Sequence, residues 1–559
     1  MAERVKILAL GGLDESGKNC ILVEVNDDIF VVGAGIRWPD KTMPGVDYVM
    51  PDFTYLRDRR KDVKGYFLLN GHDEEVGALA YIYKEVPAPV YGSAVTLSLL
   101  KIFSRHVGVN PEMYDFRVVE PSSSFKVAGR LIQYFQTAYN IAYSSGIAIM
   151  TDSGNVVLTD DFVVENNSSK NYLHDFRRIA EVSESAPTLA LLTESNYAER
   201  PGYTAPDYKL TPLIEQTVKD APGRVFISLF SVNFYNIDEV IALAVATRKK
   251  IIPYDEGSQA TLAAMQSAGQ LNIPRDNFAP LSDVNRYKSC DMIILMLGHG
   301  SKLFHKIALL AAGQSEERII SLCPDDTFIV ASPGNDGTEI EATDALDELY
   351  RAGVHVLSVP RKKFLKMHAS EEDLKMMISV FRPIYYIPVR GFYKSMLANA
   401  KVALSMGINL SHNNVFLLEN GLSWIYDGTR PRLVDESIPH GDIMIDGIGV
   451  GDVGKNVLAD RQRLAEGLAV ISLSIDREAK LITAGPEVEM RGLVTVRDED
   501  VVRRDLCRII VEAVTEKMHD PEATIDVIRQ DAYDRCFRAL RRETGKEPMV
   551  LPLIIEVGK

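Results

Sequence analysis

The sequence YFLLNGHDEEVGAL, residues 66–79, joins an apolar segment to an acidic loop. Residues 66–69 are apolar over the length of a β-strand, and a polar group follows at positions 70–75. Catalytic and metal-binding side chains are often found where a strand ends in such a group. The segment therefore predicts a buried strand that leads into a functional site, although it contains a single histidine, His72, beside three carboxylates.

Several other apolar segments in the first two hundred residues end in a polar or glycine-containing group. This layout is typical of an α/β enzyme whose site is formed by the ends of its strands. The segments are DIFVVGAG (28–35), which ends at Gly33 and Gly35, GNVVLTDDF (154–162), which contains Asp160 and Asp161, and TLALLTESN (188–196), which ends near Glu194.

The pattern changes after about residue 210. Apolar strands such as RVFISLFSVN (224–233) and DMIILMLG (291–298) alternate with helices, which predicts an inserted domain with a parallel sheet. From about residue 451 the chain contains strands, then two helices at 501–519 and 524–542, and a closing strand MVLPLIIEV (549–557). This last part predicts a small α+β domain.

Length, charge and cysteine content restrict the class of protein. A chain of 559 residues is too long for one core, and we expect two to four domains. No run of about 18 apolar residues is present, so no transmembrane helix is expected. Five scattered cysteines without C-x-x-C spacing favour a cytoplasmic location and no cysteine metal site. The net charge of −15 argues against a protein that coats nucleic acid with its whole surface, but a local basic channel stays possible.

Six further stretches carry a resemblance to a known family. The chain resembles ribonuclease J, whose members have the metallo-β-lactamase fold with a β-CASP insertion. The resemblance implies an α/β protein: a metallo-β-lactamase αββα sandwich at residues 1–208 and 366–450, an inserted β-CASP α/β domain at 209–365, and a small α+β C-terminal domain at 451–559. The stretches are LALGGLDESGKN (8–19), GVDYVMPDFTYL (45–56), NYAERPGYT (196–204), VFLLENG (415–421), DGIGVGDVG (446–454) and EPMVLPLIIEV (547–557).

Active members of this family are 5′→3′ exoribonucleases that also cut internally, and they hold two metal ions between ligands at strand ends. Their first motif is His-x-His-x-Asp-His, which corresponds here to residues 70–75. Only the second histidine of the motif, His72, is present. Asn70 replaces the first histidine. Glu74 replaces the aspartate, and Glu75 replaces the last histidine.

The resemblance extends to four further positions of the metal site. Tyr139 stands where the family has a histidine, and Asp161 stands at the aspartate that bridges the two ions. Arg390 replaces the last histidine of the site, and Gly33 replaces an aspartate near the start of the chain. The sequence therefore looks like the remains of a two-metal site.

These replacements favour the loss of tightly bound metal. Zinc sites of this kind need nitrogen ligands and nearly complete protein coordination, so we expect no tightly bound ion. Arg390 cannot ligate a metal. Its guanidinium, however, can supply the positive charge that Glu74, Glu75 and Asp161 need. Two alternatives stay open: Arg390 turns to solvent, or these carboxylates and His72 hold Mn²⁺ or Zn²⁺ weakly.

The segment KMHASEEDLKMM resembles the part of the family that holds the 5′ phosphate of RNA. The resemblance assigns this role to His368, Ala369 and Ser370, and to Asn233 in the insertion. The spacing of Ser370 and Asp373 predicts a capping box, and a helix that begins here would direct free backbone N–H groups at an anion. Most capping boxes, however, only start a helix.

Two residues of the insertion weaken the RNA binding that the resemblance implies. Val232 removes a hydroxyl from the phosphate side, and Asp336 adds negative charge near the RNA.

The resemblance to a degenerate second paralogue favours a subunit of a ribonuclease J complex that acts in RNA processing and decay, including rRNA maturation, with weak or no activity of its own. Its expected partners are a catalytically intact ribonuclease J paralogue, further copies of itself in a dimer or tetramer, and RNA. The alternative is an active metal-dependent ribonuclease with a rebuilt, carboxylate-rich manganese site. A small-molecule metallohydrolase is a third hypothesis, against which the insertion and the C-terminal domain argue.

Overall fold

The structure is a computed structural model that describes residues 3–40, 42–165, 169–334, 338–447, 449–451, 453–493 and 499–557. Asp336, to which the sequence assigns a weakening effect on RNA binding, lies outside these residues. The chain forms two compact units, Met1–Arg37 with Met50–Asp442, and Trp38–Val49 with Ile443–Lys559. The first unit contains both the predicted sandwich and the predicted insertion, so the boundaries 1–208, 209–365, 366–450 and 451–559 stay predictions.

Two sheets of the first unit share its main core. Apolar side chains from both sheets, such as Ile7, Phe30, Ile132 and Ile147, are buried in one cluster. Because the central strands are covered on both faces, they read as almost continuous apolar runs. In spatial order the larger sheet contains Pro431–Asp435, Leu422–Tyr426, Val5–Gly11, Cys20–Val25, Asp28–Val32, Val63–Phe67, Val90–Gly92 and Phe116–Val118, and the smaller sheet contains Tyr385–Pro388, Thr188–Thr193, Gly154–Leu158, Ser145–Thr151, Arg130–Gln136 and Ser124–Val127.

Helices pack on the outside of these two sheets. Phe176–Ser185, Glu371–Phe381 and Tyr393–Ser405 bury apolar side chains against the smaller sheet. Ala94–His106 contacts strands of the larger sheet. This αββα arrangement confirms the predicted metallo-β-lactamase fold. The shorter helical segments of this part are Thr54–Asp58, Asp73–Val76, Leu79–Ile82, Pro111–Met113 and Lys170–Tyr172.

The insertion contains a five-stranded parallel sheet with an apolar core on each face. From the central strand, Val225–Phe230, the chain first builds one side of the sheet and then crosses to the other. The loop after Phe230 therefore lies at a topological switch point, where doubly wound sheets usually bind ligands. The strands are, in spatial order, Lys250–Pro253, Met292–Gly298, Val225–Phe230, Thr327–Val330 and His355–Ser358, and the helical segments are Thr211–Asp220, Phe234–Ala246, Glu256–Ser267, Arg275–Asn277, Leu281–Arg286, Ser289–Asp291, Gly300–Ala311, Glu339–Arg351 and Arg361–Lys363.

The second unit contains the predicted α+β domain. Two long helices, Glu499–Met518 and Ile525–Thr544, pack on one face of a three-stranded sheet and form its apolar core. The strands of that sheet are, in spatial order, Leu481–Arg491, Leu468–Asp476 and Met549–Glu556, and a further helix is Lys455–Ala465. A second small sheet contains Gly449–Val450, Asp442–Asp446 and Tyr48–Pro51.

Among the residues that the structure describes, no helix combines the length and the apolar character that a membrane span needs.

Candidate functional site

The ends of parallel strands from both sheets bring the predicted site residues together. In the larger sheet, Asp28–Val32 and Val63–Phe67 end beside each other, directly before Gly33 and the acidic loop. In the smaller sheet, three adjacent parallel strands end in the charged residues of the site. Gly154–Leu158 leads to Asp160 and Asp161, Thr188–Thr193 leads to Glu194, and Tyr385–Pro388 leads to Arg390.

Arg390 lies at the centre of this site, with only 6% of its surface exposed. Its Nη2 donates a hydrogen bond to Glu75 Oε2 at 2.8 Å, and its Nη1 donates one to Asp161 Oδ2 at 3.0 Å. Nη1 also forms an ion pair with Asp160. The alternative in which Arg390 turns to solvent is therefore wrong. Among the described residues, the guanidinium donates no hydrogen bond to Glu74, which the sequence placed beside it. Its third carboxylate partner is Asp160 instead.

The backbone at this cluster is constrained. Asp160 has a φ of 61° and Arg390 a φ of 58°, both in the left-handed region that side chains other than glycine rarely adopt. Each such residue costs about 1–2 kcal/mol. Strain of this kind persists where the surrounding structure fixes it, and it is common at functional sites. Here it accompanies the ion pair between the two residues.

Gly33 leaves room for the side chain of Glu75. A Cβ atom at position 33 would lie 3.0 Å from both carboxylate oxygens of Glu75 and 2.8 Å from the carbonyl oxygen of Asn19. The two departures from the family pattern, a glycine for an aspartate and a glutamate for a histidine, are therefore sterically linked.

Asn70 and His72 form hydrogen bonds within the chain. The amide nitrogen of Asn70 donates to Asp160 Oδ2 at 2.7 Å, and its Oδ1 accepts from the backbone N–H of His72 at 2.8 Å. His72 Nε2 lies 3.3 Å from the side-chain nitrogen of Asn140. Burial lowers the pKa of His72 to about 4, although Asp161 acts in the opposite direction, so its imidazole is neutral at physiological pH.

Tyr139 lies between the two histidines of the site. Its ring centroid is 5.9 Å from that of His72 and 6.0 Å from that of His368. Burial, followed by the nearby Asp161, raises the pKa of the Tyr139 phenol well above its usual value. Tyr139 is therefore a neutral, bulky side chain where the family resemblance implies an imidazole ligand.

Glu194 is a member of the site that the sequence did not single out. It is fully buried, and its Oε1 accepts hydrogen bonds from the backbone N–H groups of Phe162 and Ala369, both at 2.9 Å. Its Oε2 lies 2.8 Å from His368 Nδ1, which in turn lies 3.6 Å from Asp161 Oδ1. The only sequence signal was its place at the end of an apolar strand, a signal that Asp160 shares.

Four buried carboxyl groups contact Arg390 or His368, namely those of Glu75, Asp160, Asp161 and Glu194. Burial raises the pKa of three of them. The pKa of Asp160 rises to about 6 through burial, which Arg390 opposes. The pKa of Glu194 rises to about 7 through burial, which His368 opposes. Burial raises the pKa of Glu75 well above its usual value. These groups therefore hold protons at a higher pH than ordinary carboxyl groups do.

The surroundings favour the charged forms of Asp161, His368 and Arg390. Although burial acts in the opposite direction, Arg390 holds the pKa of Asp161 well below its usual range. Burial also opposes the charge on His368, but Glu194 and Asp161 raise its pKa well above the usual value. Two cations, Arg390 and His368, thus face four carboxyl groups.

These residues do not fit the two metal ions that the family resemblance implies. One ion would need Asn70, His72, Tyr139 and Asp161, but the amide of Asn70 is bonded to a carboxylate and Tyr139 is a neutral phenol. The other would need the space beside Asp161, which the guanidinium of Arg390 fills. A guanidinium stays protonated and does not ligate metals.

The predicted capping box is present at the start of the helix Glu371–Phe381, and backbone carbonyls of another segment accept the next two backbone donors. The expectation that this helix start offers free N–H groups to an anion is therefore wrong. Binding of a 5′ phosphate by His368, Ala369, Ser370 and Asn233 stays a prediction. The backbone N–H groups donate as follows: Ser370 to Asp373 Oδ2 at 2.9 Å, Glu371 to the carbonyl of Arg200 at 3.0 Å, and Glu372 to the carbonyl of Gly202 at 3.0 Å.

Asn233 belongs to the loop at the switch point of the inserted sheet, and this loop contacts the site. Asn233 precedes the helix Phe234–Ala246 and is half-buried. Asn140 donates to the carbonyl oxygen of Val232 at 2.6 Å with the same side-chain nitrogen that lies beside His72. The insertion is therefore held directly against the acidic loop.

Comparisons with known proteins agree with this architecture. The family model for the ribonuclease J β-CASP domain matches residues 222–349, and the model for the ribonuclease J C-terminal domain matches residues 456–557. A protein named Ribonuclease J2 from Bacillus subtilis is 33% identical over 557 residues, which are 99% of each chain. Ribonuclease J 2 from Staphylococcus epidermidis is 30% identical over 554 residues, which are 99% of this chain and 98% of that protein.

One solved structure supports the fold alone. The crystal structure of a protein of unknown function from Enterococcus faecalis superposes with a TM-score of 0.51 at 13% sequence identity, and the match covers 76% of this chain and all of that one.

Proposed function

The chain belongs to the ribonuclease J family of RNA-processing nucleases, and on this premise we propose that it is a subunit of a ribonuclease J complex in RNA processing and decay, with weak or no nuclease activity of its own. Its proposed partners are a catalytically intact ribonuclease J, further copies of itself, and RNA, including precursors of rRNA. We place it in the cytoplasm, where such a complex would meet its RNA. Two relatives of the chain are named Ribonuclease J 2 and Ribonuclease J2, and the number in these names supports the proposal that the chain is the second of two paralogues.

The observation that carries the proposal is the buried contact of Arg390 with Glu75, Asp160 and Asp161. Hydrolysis by two metals needs an ion on each side of the scissile phosphate, to activate water and to stabilise the leaving oxygen. The guanidinium supplies positive charge at that place, but it cannot activate water as a metal does. The site is therefore suited to keeping the strand ends together without a bound pair of ions.

The alternative, an active nuclease with manganese held by His72, Glu74, Glu75 and Asp161, needs carboxylates that are already bonded. Glu75 and Asp161 give their Arg390-facing oxygens to the guanidinium. Recruiting them for a metal would leave a buried cation without its partners, which is costly.

The test is a nuclease assay on 5′-monophosphorylated RNA with Mn²⁺, with the chain alone and with an intact ribonuclease J from the same organism. We expect no processive degradation by the chain alone and co-purification of the two proteins. Glu75→Gln is the internal control, since it should leave the chain as inactive as before. Processive degradation by the wild type that Glu75→Gln abolishes would establish the manganese nuclease instead.

A further inference from the structure

Three ligand-type side chains converge beside Arg390 without being the ligand set of the family's two ions. A nitrogen of His368 and one carboxylate oxygen from each of Asp161 and Glu194 all lie within 4.8 Å of one another. We infer that these three side chains form a binding site for a single divalent cation of the Mn²⁺ or Zn²⁺ type. This inference goes beyond the proposed function, because a lone ion held there does not restore a two-metal site.

One oxygen of this trio has no hydrogen-bond partner. Asp161 is 7% exposed, and its Oδ2 accepts a hydrogen bond from Arg390, but its Oδ1 accepts none from any described residue. Buried carboxylate oxygens are normally bonded, so an orphaned one needs an explanation. Oδ1 faces His368 Nδ1 at 3.6 Å, too far for a hydrogen bond. A cation between the two groups would satisfy both.

The charge of the surrounding cluster also favours a cation. Four buried carboxyl groups surround one guanidinium and one imidazole, because Arg390 contacts Glu75, Asp160 and Asp161, and His368 contacts Glu194. Carboxylates clustered in a buried place repel one another unless protons or a cation neutralise them. A dication bound to His368 Nδ1 and Glu194 Oε2, which lie 2.8 Å apart, would need the imidazole in its neutral form and would bring two positive charges among these carboxyl groups.

The three side chains are fixed in place before any ion binds. Glu194 Oε1 is held by two backbone N–H groups, which leaves Oε2 directed at His368. Asn399 donates to the backbone carbonyl of Glu194 at 2.8 Å, and Thr204 donates to that of His368 at 2.6 Å. Supporting hydrogen bonds of this kind orient ligands and typically raise metal affinity.

The ligand set indicates the class of ion. One imidazole nitrogen and two carboxylate oxygens suit Mn²⁺, Zn²⁺ and related first-row ions, whereas Mg²⁺ and Ca²⁺ prefer oxygen ligands alone. The His368 side chain is 15% exposed, so the trio is not sealed from solvent, and water can complete the coordination. The rings of Tyr139 and Tyr197 flank it, with centroids 6.0 Å and 5.4 Å from that of His368.

The test uses the full-length chain stripped of metal and titrated with Co²⁺, whose visible absorption reports its ligands, and with Mn²⁺, whose free form is followed by electron paramagnetic resonance. We expect one ion per chain. Glu194→Gln and His368→Gln should each weaken binding by at least the roughly 10- to 100-fold that loss of a supporting hydrogen bond costs at metal sites. Glu199→Gln is the matched control, because it removes an exposed carboxylate five residues after Glu194 that pairs with Lys394, and it should leave binding unchanged. Glu74→Gln, in the family's metal motif, distinguishes this trio from the family's site.

Two results of these titrations would contradict the inference. Loss of binding in Glu74→Gln but not in Glu194→Gln would place the ion at the family's position and overturn the inference. Absence of Co²⁺ and Mn²⁺ binding to the wild type at millimolar concentration would also overturn it. Circular dichroism melting checks that each variant is folded; if Glu194→Gln is not, His368→Gln decides. Because the readout is metal binding and not RNA cleavage, this inference and the proposed function can fail independently.

Discussion

Arg390 and Asp160 form a buried ion pair although both residues have left-handed backbone conformations. The strain of two such residues, about 1–2 kcal/mol each, must be offset by the interactions that the conformations permit. Those interactions are the contacts of one guanidinium with three carboxylates, and the hydrogen bond from Asn70 to Asp160. The strand ends of the smaller sheet are therefore joined by charge, at the place where the family resemblance implies metal.

Replacing Arg390 tests whether its charge substitutes for that metal. Arg390→His should reduce the free energy of unfolding by about 3–5 kcal/mol, because it leaves buried carboxylates without their partner. Arg390→Lys keeps a positive charge but cannot contact two carboxylates with a planar guanidinium, so its free energy of unfolding should fall by less than that of Arg390→His. The measurement is urea unfolding of both variants, with the exposed Arg430→Gln as control.

The same unfolding experiment with added Mn²⁺ tests whether a metal ion can replace the charge of the guanidinium. Because an ion that binds only the folded state stabilises it, Mn²⁺ should raise the free energy of unfolding of Arg390→His by more than that of the wild type, in which the guanidinium fills the space beside Asp161. An Arg390→His variant as stable as the wild type without metal would show that the guanidinium does not hold the site together.

The pH dependence of stability should reveal the burial of Asp160. Its pKa rises from 3.8 to about 6 on folding, through burial. The stability that this group contributes is fully present below about pH 4 and is lost as the pH rises through about 6. Asp160→Asn keeps a residue that tolerates the left-handed conformation and removes this loss.

The stability of Asp160→Asn relative to the wild type should therefore increase between about pH 4.5 and pH 7.5, by on the order of 1–3 kcal/mol. Thermal melting across this range measures it, with the exposed Asp152→Asn as control. A difference that does not change with pH, or that decreases, would contradict the burial argument.

Gly33 and Gly108 offer a matched pair for the steric link between positions 33 and 75. Both have a φ of 76°, so an added Cβ meets the same backbone strain at each. At Gly108 nothing lies within 4 Å of that Cβ, whereas at Gly33 it meets the carboxylate of Glu75 and the carbonyl of Asn19. Gly33→Ala should lower the melting temperature clearly more than Gly108→Ala. Equal shifts would mean that Glu75 moves away freely and that the two positions are not linked.

The sequence predicted that the site lies at strand ends, because several apolar runs stop at a polar group, and the family resemblance supplied the particular positions. It could not predict which side chains turn inward. Glu74 and Glu75 are successive residues of the short helix Asp73–Val76, so they point in different directions and only Glu75 reaches Arg390. Asp160 joins the cluster through a left-handed backbone conformation, which nothing in the order of residues signals.

The start of the helix Glu371–Phe381 is a second feature that the sequence could predict only in part. Its capping box follows from the sequence spacing alone, and the structure contains it. Whether the next N–H groups are free depends on residues about 170 positions away, since the carbonyls of Arg200 and Gly202 accept them. Long-range contacts of this kind decide binding sites, and the local sequence does not encode them.

The last strand of the C-terminal domain carries an exposed aliphatic surface. Side chains of the strand Met549–Glu556 alternate between the two faces of its sheet. Leu551, Leu553 and Ile555 are 38%, 51% and 56% exposed on the face away from the helices. The strand lies at the edge of the sheet, but Pro552 lacks a backbone N–H, which hinders regular pairing with another strand. We therefore expect the proposed partner to bind the face of the sheet and not its edge.

Subunit pairing, as proposed, should depend on this aliphatic surface. The double substitution Leu553→Lys with Ile555→Lys leaves the buried face of the strand unchanged, so the domain should stay folded, but it places two charges where a partner would need apolar contact. Size-exclusion chromatography with light scattering, and co-purification with an intact ribonuclease J, should both show weaker association. Val527→Lys, at a similarly exposed position on a helix of the same domain, is the control and should pair normally. Association of the double variant as tight as that of the wild type would mean that subunits pair through another surface.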